Sequence, residues 1–470
     1  MSSAASSQQQ GCLQHAMAAN RNGLPCACAG SSHTFSIAQS LLMANPNISG
    51  IGPHSAAAAT SHNRARWSIA FLLGLGVLIN FFDRVNLSVA HDAMRSTFHI
   101  DEVAFGYLAG AYNWTYAVCQ LPIGALLDAV GVAIVGRIGS LVWSLATFAA
   151  AVSPTFGTLF ASRMLLGIGE SPIFPANAKA IGLWFPPQER GLPTAIFDAA
   201  AKFSTAIGVP IIGILLLHVG WRLAFAATAF ASLLYFGIFY FVYRDPPPEQ
   251  RHGDTAESGH PTVPFTYLLR QRKVYGLFIG YGAYNYVFYL LLTWLPTYLA
   301  ITLHVNLLHS FLYTGVPWLI ATATDLIAGG WLVDALMRRG FSSTIVRQAL
   351  LIAGMILGMG LLGAVHSTTP GMALFWISVS IGGLAASAPV SWSLPALVAP
   401  PGAVGRVAGM MNLASQISAI AAPVITGYLY GHTHSFAIAF SVPVLYLIAG
   451  IAGYVFLLGR IEPIAAPARP

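Results

Sequence analysis

Arg244-Asp245-Pro246-Pro247-Pro248-Glu249-Gln250-Arg251-His252-Gly253-Asp254 opens the one long polar segment of a strongly apolar chain, a segment that runs from Arg244 to Lys273. Three consecutive prolines cannot continue a helix and charges follow them, so this stretch reads as a linker. On either side of it, apolar runs of about 20 residues recur, each long enough to cross roughly 30 Å of hydrocarbon as a helix. They fall near 67–90, 103–126, 133–152, 156–182, 191–217 and 222–243 before the linker. After it they fall near 274–302, 308–334, 344–365, 369–397, 405–430 and 436–458. The expected fold class is an all-α integral membrane protein with 12 transmembrane helices in two six-helix bundles, 63–243 and 274–460, joined by the linker 244–273.

Composition agrees. Of 470 residues, 56% are hydrophobic and only 8% charged, against about 25% charged in soluble domains. Residues 1–62 are rich in Ser, Ala, Gln, Asn and His without apolar periodicity, and read either as a disordered tail or as a start placed too early, with Met43 a later candidate. Residues 461–470 form a short C-terminal tail. Cys12, Cys26, Cys28 and Cys119 give no disulfide framework, and Cys26-Ala-Cys28 has no partners at metal-ligand spacing. No metal and no cofactor is expected.

The net charge of +7 would suggest nucleic acid in a soluble chain, but here its placement carries topology. With the N-terminus inside, Arg64, Arg66, Arg137, Arg190, Arg270, Arg272, Lys273, Arg338, Arg339, Arg347 and Arg406 share one side, and Arg95 and Arg222 lie on the other. The asymmetry places both termini and the linker in the cytoplasm of a multi-pass inner (plasma) membrane protein. It also leaves no call for a nucleic-acid partner; the expected partners are the lipid bilayer and a small molecule, with the chain a monomer. The two halves echo one another, Gly124-Ala-Leu-Leu-Asp128-Ala after the second helix and Gly330-Trp-Leu-Val-Asp334-Ala after the eighth, as parallel repeats would. Asp128, Asp334, Arg190 and Arg338 at these turns are candidate gating residues.

A charge at the bilayer centre costs about 2.5–3.5 kcal/mol on insertion scales, so the exceptions are informative. They are Asp83 and Arg84 on helix 1, Arg163 and Glu170 on helix 4, Asp198 and Lys202 on helix 5, and Asp325 on helix 8. Arg163 and Glu170 are two turns apart, about 10 Å along one face, too far to pair with each other. Crossed pairs are expected instead, Asp83 with Arg163 and Arg84 with Glu170. Such a network either is structural or takes a proton on a carboxylate and frees an arginine for an anion. Asp198 and Lys202, one turn apart, read as an intrahelical pair or as a second cationic contact for a carboxylate.

Phe82-Asp83-Arg84-Val85-Asn86-Leu87-Ser88-Val89-Ala90 and Arg163-Met-Leu-Leu-Gly167-Ile-Gly-Glu170-Ser-Pro172-Ile-Phe-Pro175-Ala-Asn177, with Trp184-Phe-Pro-Pro-Gln-Glu189-Arg190-Gly191 beyond, carry a resemblance. Tyr284-Asn285-Tyr286 and Leu292-Thr293-Trp294-Leu295-Pro296-Thr297-Tyr298-Leu299 extend it. Over residues 65–462 the chain resembles the anion:cation symporter family of the major facilitator superfamily, which contains galactonate, glucarate, hexuronate, tartrate and phthalate transporters. The resemblance implies the major facilitator fold and uptake of an organic anion with a proton, by rocking one bundle against the other around a central site. It implies proton coupling by Asp83 and Glu170 and substrate binding by Arg84 and Arg163. Three departures stand out. Phe81 replaces a frequent Tyr; Ala129 and Val132 replace basic residues of the helix 2–3 loop, where Arg137 is a possible substitute latch; and Asp198 with Lys202 makes helix 5 unusually charged, favouring a substrate with more than one acidic group.

Further polar residues fall near the expected centre: Tyr112 and Tyr116, Tyr284, Asn285 and Tyr289, Trp392, and Asn412 with Gln416. Hydroxyls and amides suit a polyhydroxylated sugar acid, since each substrate hydroxyl taken from water needs a partner; interhelical hydrogen bonding is the alternative. With Lys202 these complete the expected substrate-binding set. An enzyme is not expected, because H-E-x-x-H, G-x-S-x-G and G-x-x-x-x-G-K-[ST] are all absent. The function expected is proton symport of a sugar acid such as hexuronate, galactonate or glucarate. Symport or exchange of another carboxylate (tartrate, phthalate or another aromatic acid, a dicarboxylate), or a sensor without flux, is the alternative.

Overall fold

A computed structural model describes residues 53–100, 102–247, 263–302, 307–433 and 435–466. The N-terminal stretch 1–52 with Cys12, Cys26 and Cys28, and the middle of the linker, 248–262, lie outside the described residues. Residues through Arg64 form one unit, and Ala65–Pro470 form a second that holds the membrane passes.

The first half contains α1 (Pro53–Val89), α2 (His91–Phe98), α3 (Glu102–Ala151), α4 (Phe156–Glu170), α5 (Ile173–Trp184) and α6 (Gly191–Val242). After the short α7 (Phe265–Leu268), the second half contains α8 (Arg272–Thr302), α9 (Leu307–Thr324), a π-helical stretch Asp325–Leu332 and α10 (Val333–Arg338). It continues with α11 (Ser343–Gly358), α12 (Leu361–Val365), α13 (Pro370–Ser393), α14 (Pro395–Val398), α15 (Val404–Thr433) and α16 (Phe436–Ala452). Two of these are each a pair of passes. Inside α3 Gly131 has φ 84°, and inside α6 Gly220 has φ 77°, a backbone that L side chains rarely adopt. One glycine thus reverses the chain where the sequence pattern suggests a loop of several residues. At Gly131 the turn is fastened by the linker's first carboxylate: Asp245 Oδ2 accepts the Ala133 N–H at 3.1 Å. Helix 4 is broken for another reason. Pro172 has no N–H to give and interrupts the ladder immediately after Glu170, leaving α4 and α5 as separate segments.

Among the described residues, twelve passes form an all-α membrane protein of two six-helix bundles. Within the first, α3 packs on α4 and α6; within the second, α8 packs on α15 and α11 on α13. Across the halves, α3 meets α15, and α6 meets α9 and the π-helical stretch. The polarity is that of a lipid-solvated protein. Phe241, Phe456 and Val118 are about three-quarters exposed, at 76%, 74% and 75%, whereas Asp83, Glu170, Lys202 and Asp325 are buried.

Candidate functional site

Adjacent residues on a helix point about 100° apart and do not face the same neighbour, and that rule divides the charges of α1. Arg84 turns toward α4, where its Nε donates to Glu170 Oε2 at 3.2 Å. The guanidinium lies over three rings, Phe81 at 4.5 Å, Tyr112 at 5.0 Å and Tyr116 at 5.4 Å, so it is both paired and caged. Asp83 turns the other way, into the seam between α1, α3 and α6, where its carboxylate accepts the Trp143 indole N–H and the Ser232 hydroxyl, the latter at 3.0 Å. The expected pair Arg84–Glu170 is therefore present. The expected pair Asp83–Arg163 is not: Arg163 Nη1 donates to the backbone carbonyl of Asp83 at 3.4 Å, while the carboxylate is taken by Trp143 and Ser232.

The charges of helix 5 also differ from the intrahelical reading. Lys202 Nζ contacts Asp198 on its own helix and, at 2.8 Å, Asp325 from the opposite half. The three form one buried triad in which a single ammonium serves two carboxylates, with the Tyr284 ring centred 5.9 Å from Nζ.

Between the halves lies a narrow cavity. From the first half Arg84, Tyr116, Asp198 and Lys202 line it; from the second, Tyr284, Asn285, Tyr289, Trp392, Asn412 and Gln416. Asn412 Nδ2 crosses the boundary to the Tyr116 hydroxyl at 3.1 Å and to Gln120 Oε1 at 2.9 Å. Four of the expected residues lie outside the lining: Tyr112 sits beneath Arg84, and Asp83, Arg163 and Glu170 stand behind the wall. Sequence reasoning overlooked Phe174, Tyr281, Phe288 and Ser415, all in the lining, and noted Phe81 only as a departure from the family pattern. Tyr281, Tyr284, Asn285, Phe288 and Tyr289 recur every three or four residues on α8, a spacing that marks one helical face and could have revealed the set.

Towards the linker, the halves are closed on one another. The ring of Trp392 stacks on Phe174 at 5.1 Å. Below it the repeated G-x-L-x-D-A stretches make equivalent contacts. Asp128, from the first half, accepts the N–H groups of Gly405 (2.7 Å) and Arg406 (2.9 Å) at the start of α15. Asp334, from the second, accepts those of Gly191 and Leu192 at the start of α6, both at 2.8 Å. Each carboxylate thus caps a helix N-terminus of the other half, satisfying N–H groups that have no intrahelical partner. The repeat's glycines permit the approach: a Cβ on Gly124 would lie 2.7 Å from the Gly405 carbonyl oxygen, and one on Gly330 would lie 2.7 Å from the Ala195 Cβ. Arg190 donates to the carbonyls of Gly182 (2.7 Å) and Phe185 (2.9 Å), and across the boundary to that of Ala396 (2.8 Å). Burial, with the Arg347 guanidinium nearby, lowers its pKa to about 10, so it stays cationic at neutral pH. From the second half Arg347 donates to the Pro187 carbonyl at 2.7 Å. Arg338 is exposed at the end of α10, one turn from Asp334. Arg137 is not a substitute latch; it donates to the Tyr243 carbonyl within its own half. Asp128 instead has Lys179 at 3.1 Å, a buried cation that sequence reasoning left out, and Arg406 at 3.5 Å.

Residues 73–423 match the model of the Major Facilitator Superfamily. The chain belongs to that superfamily. It is 39% identical over 415 residues to a Bacillus subtilis (strain 168) protein named uncharacterized transporter YybO, covering 85% of this chain and 95% of that protein. It is 30% identical over 423 residues to the B. subtilis protein named probable galactarate/D-glucarate transporter GudP, covering 84% and 92%. It is 28% identical over 421 residues to the probable L-galactonate transporter of Escherichia coli (strain K12), covering 87% and 92%. Among solved structures, that of the superfamily transporter FucP in the outward conformation superposes with a TM-score of 0.67 at 13% identity, covering 83% of this chain and 99% of that one. The proton:xylose symporter XylE superposes with a TM-score of 0.66 at 17% identity, covering 84% and 95%. The chain is a multi-pass membrane transporter, not an enzyme, and its relatives include sugar-acid transporters. As a member of the superfamily it has its cavity where the two bundles meet, with closure on the linker side made by backbone caps rather than by ion pairs alone.

Proposed function

We propose that this protein carries a sugar acid, of the hexonate, hexuronate or hexarate kind, together with a proton across the plasma membrane by alternating access. The observation that carries the reading is the Arg84 guanidinium lining the inter-half cavity with Glu170 buried against it. An anionic substrate reaching Arg84 competes with Glu170 for the same donor. Displacing that carboxylate while it is ionised would leave a buried charge without a partner, so displacement is favourable when Glu170 takes a proton. Anion and proton then enter together. Tyr116, Tyr289, Asn285 and Gln416 line the same space and supply partners for substrate hydroxyls. The names of the relatives point to the same class.

On this reading the bundles are 63–243 and 274–460, the linker and both termini are cytoplasmic, and one chain suffices, because its own residues complete the cavity. Asp83 is a second coupling carboxylate, reached through Arg163 and Trp143 rather than from the cavity. A two-carboxylate substrate is the second reading, favoured by Lys202 in the same lining as Arg84. The test is uptake into proteoliposomes of galactonate, glucuronate and galactarate under an imposed proton gradient. In the Glu170→Gln variant, gradient-driven accumulation should vanish while counterflow exchange persists. Accumulation that survives this change overturns the coupling role, and stabilisation of the purified protein by neutral sugars alone overturns the organic-anion reading.

A further inference from the structure

The triad Asp198–Lys202–Asp325 is outside the Arg84–Glu170 scheme, and its composition is unusual. Lys202 and Asp198 are four residues apart on α6 and belong to the first half. Asp325 begins the π-helical stretch of the second. All three are buried, Asp325 completely. Among the described residues, no second cation is paired with either aspartate of the triad. From α8 come Tyr284, 5.9 Å from Nζ by its ring centre, and Tyr281, stacked on it. The twenty-four residues of α13, which packs on the π-helical stretch, include no acid, base or tyrosine. Arg84, which lines the same cavity, is engaged by Glu170. One ammonium therefore serves two carboxylates in a buried site.

We propose that Asp325 is a further proton-carrying carboxylate, distinct from Glu170 and Asp83, and that the two halves part on the linker side only when it has taken a proton. With Asp325 ionised, the Lys202–Asp325 contact ties the halves together. Parting them would leave a buried carboxylate alone, while Lys202 keeps Asp198 on its own helix. Removing one partner of a buried pair is costly because the other charge is left uncompensated. With the proton on an Asp325 oxygen, drawn from water in the cavity, Lys202 and Asp198 remain a neutral pair and Asp325 leaves as a neutral acid. Two carboxylates competing for one cation make that protonation easier than at a simple pair. The proposal rests on alternating access, and not on the substrate or on the role given to Glu170.

The test needs no substrate. Spin labels are placed on the linker side of each half, at Val130→Cys and Phe341→Cys, both at exposed positions, with Cys12, Cys26, Cys28 and Cys119 replaced by Ser. Distance distributions are recorded in nanodiscs from pH 8 to pH 5. A proton bound by only one of two states changes their ratio by up to about tenfold per pH unit. The open-to-closed ratio should rise at least about tenfold on acidification, and should do so in the Glu170→Gln background as well. Asp325→Asn should hold the halves mostly parted, with less than about a twofold change over the range. Asp198→Asn should act oppositely, because Lys202 then has Asp325 alone, and should move the transition to lower pH by about one unit or more. A pH response unchanged by Asp325→Asn, or a shift of the same sign in both variants, overturns the proposal; if Asp325→Asn does not fold, the Asp198→Asn shift decides alone.

Discussion

The Asp334 carboxylate accepts the backbone N–H of Gly191 at 2.8 Å, joining the end of one half's helix 8 to the start of the other half's helix 5. Asp128 does the same for Gly405 at 2.7 Å. Asparagine offers one acceptor oxygen where the carboxylate offers two, and carries no charge to complement the helix dipole. Asp128→Asn and Asp334→Asn are each expected to weaken linker-side closure by about 1 kcal/mol, the worth of a negative charge at a partly buried helix N-terminus, or roughly fivefold in the open-to-closed ratio. Alkylation of Ala201→Cys, at a cavity-lining position, by an impermeant maleimide applied from the linker side should speed up by that factor. An unchanged rate would mean that the caps do not hold the gate.

Arg84 is both an ion-pair partner and a stacking platform. Lysine keeps the charge but loses the planar fork and the face that lies over Phe81, Tyr112 and Tyr116. Arg84→Lys is therefore expected to weaken binding of a sugar acid at least tenfold, measured by calorimetry on the purified protein. A loss below twofold would remove Arg84 from the binding site.

Trp143 gives the buried Asp83 carboxylate an indole N–H. Trp143→Phe keeps most of the packing against Tyr235, whose ring centre lies 5.6 Å away, and deletes the donor. The expected cost is about 1–3 kcal/mol, the penalty for an under-satisfied buried acceptor, seen as a lower melting temperature that Ser232→Ala deepens. No loss of thermal stability in either variant would show that Asp83 is satisfied in another way.

The passes were legible because apolar length is a local property, and the intramembrane charges because each is expensive where it lies. Arg84 with Glu170 followed from the same expense. Asp83 did not, because its neighbours depend on how α1 is rotated, and the partners that took it, Trp143 and Ser232, carry no charge to announce themselves. Asp325 was visible as an exception, but its partner is 123 positions away in the other half, a relation that periodicity does not encode. Lys179 was passed over near the end of a helix, where cations are ordinary, although it is buried against Asp128. The two G-x-L-x-D-A stretches were legible as an echo and not as a fastening, since the helix ends they cap lie far off in sequence.

Arg190 reaches three carbonyls, two on its own half and one on the other. Of these three bonds, the one to Ala396 is given up when the halves part, and water can take its place at little net cost. The side chain meanwhile stays held by Gly182 and Phe185, aimed as before. Re-closure thus requires no conformational search by the long guanidinium arm, and the entropy of ordering it is lost once, on folding, instead of in every cycle. A catch of this kind favours rapid turnover over a tight grip.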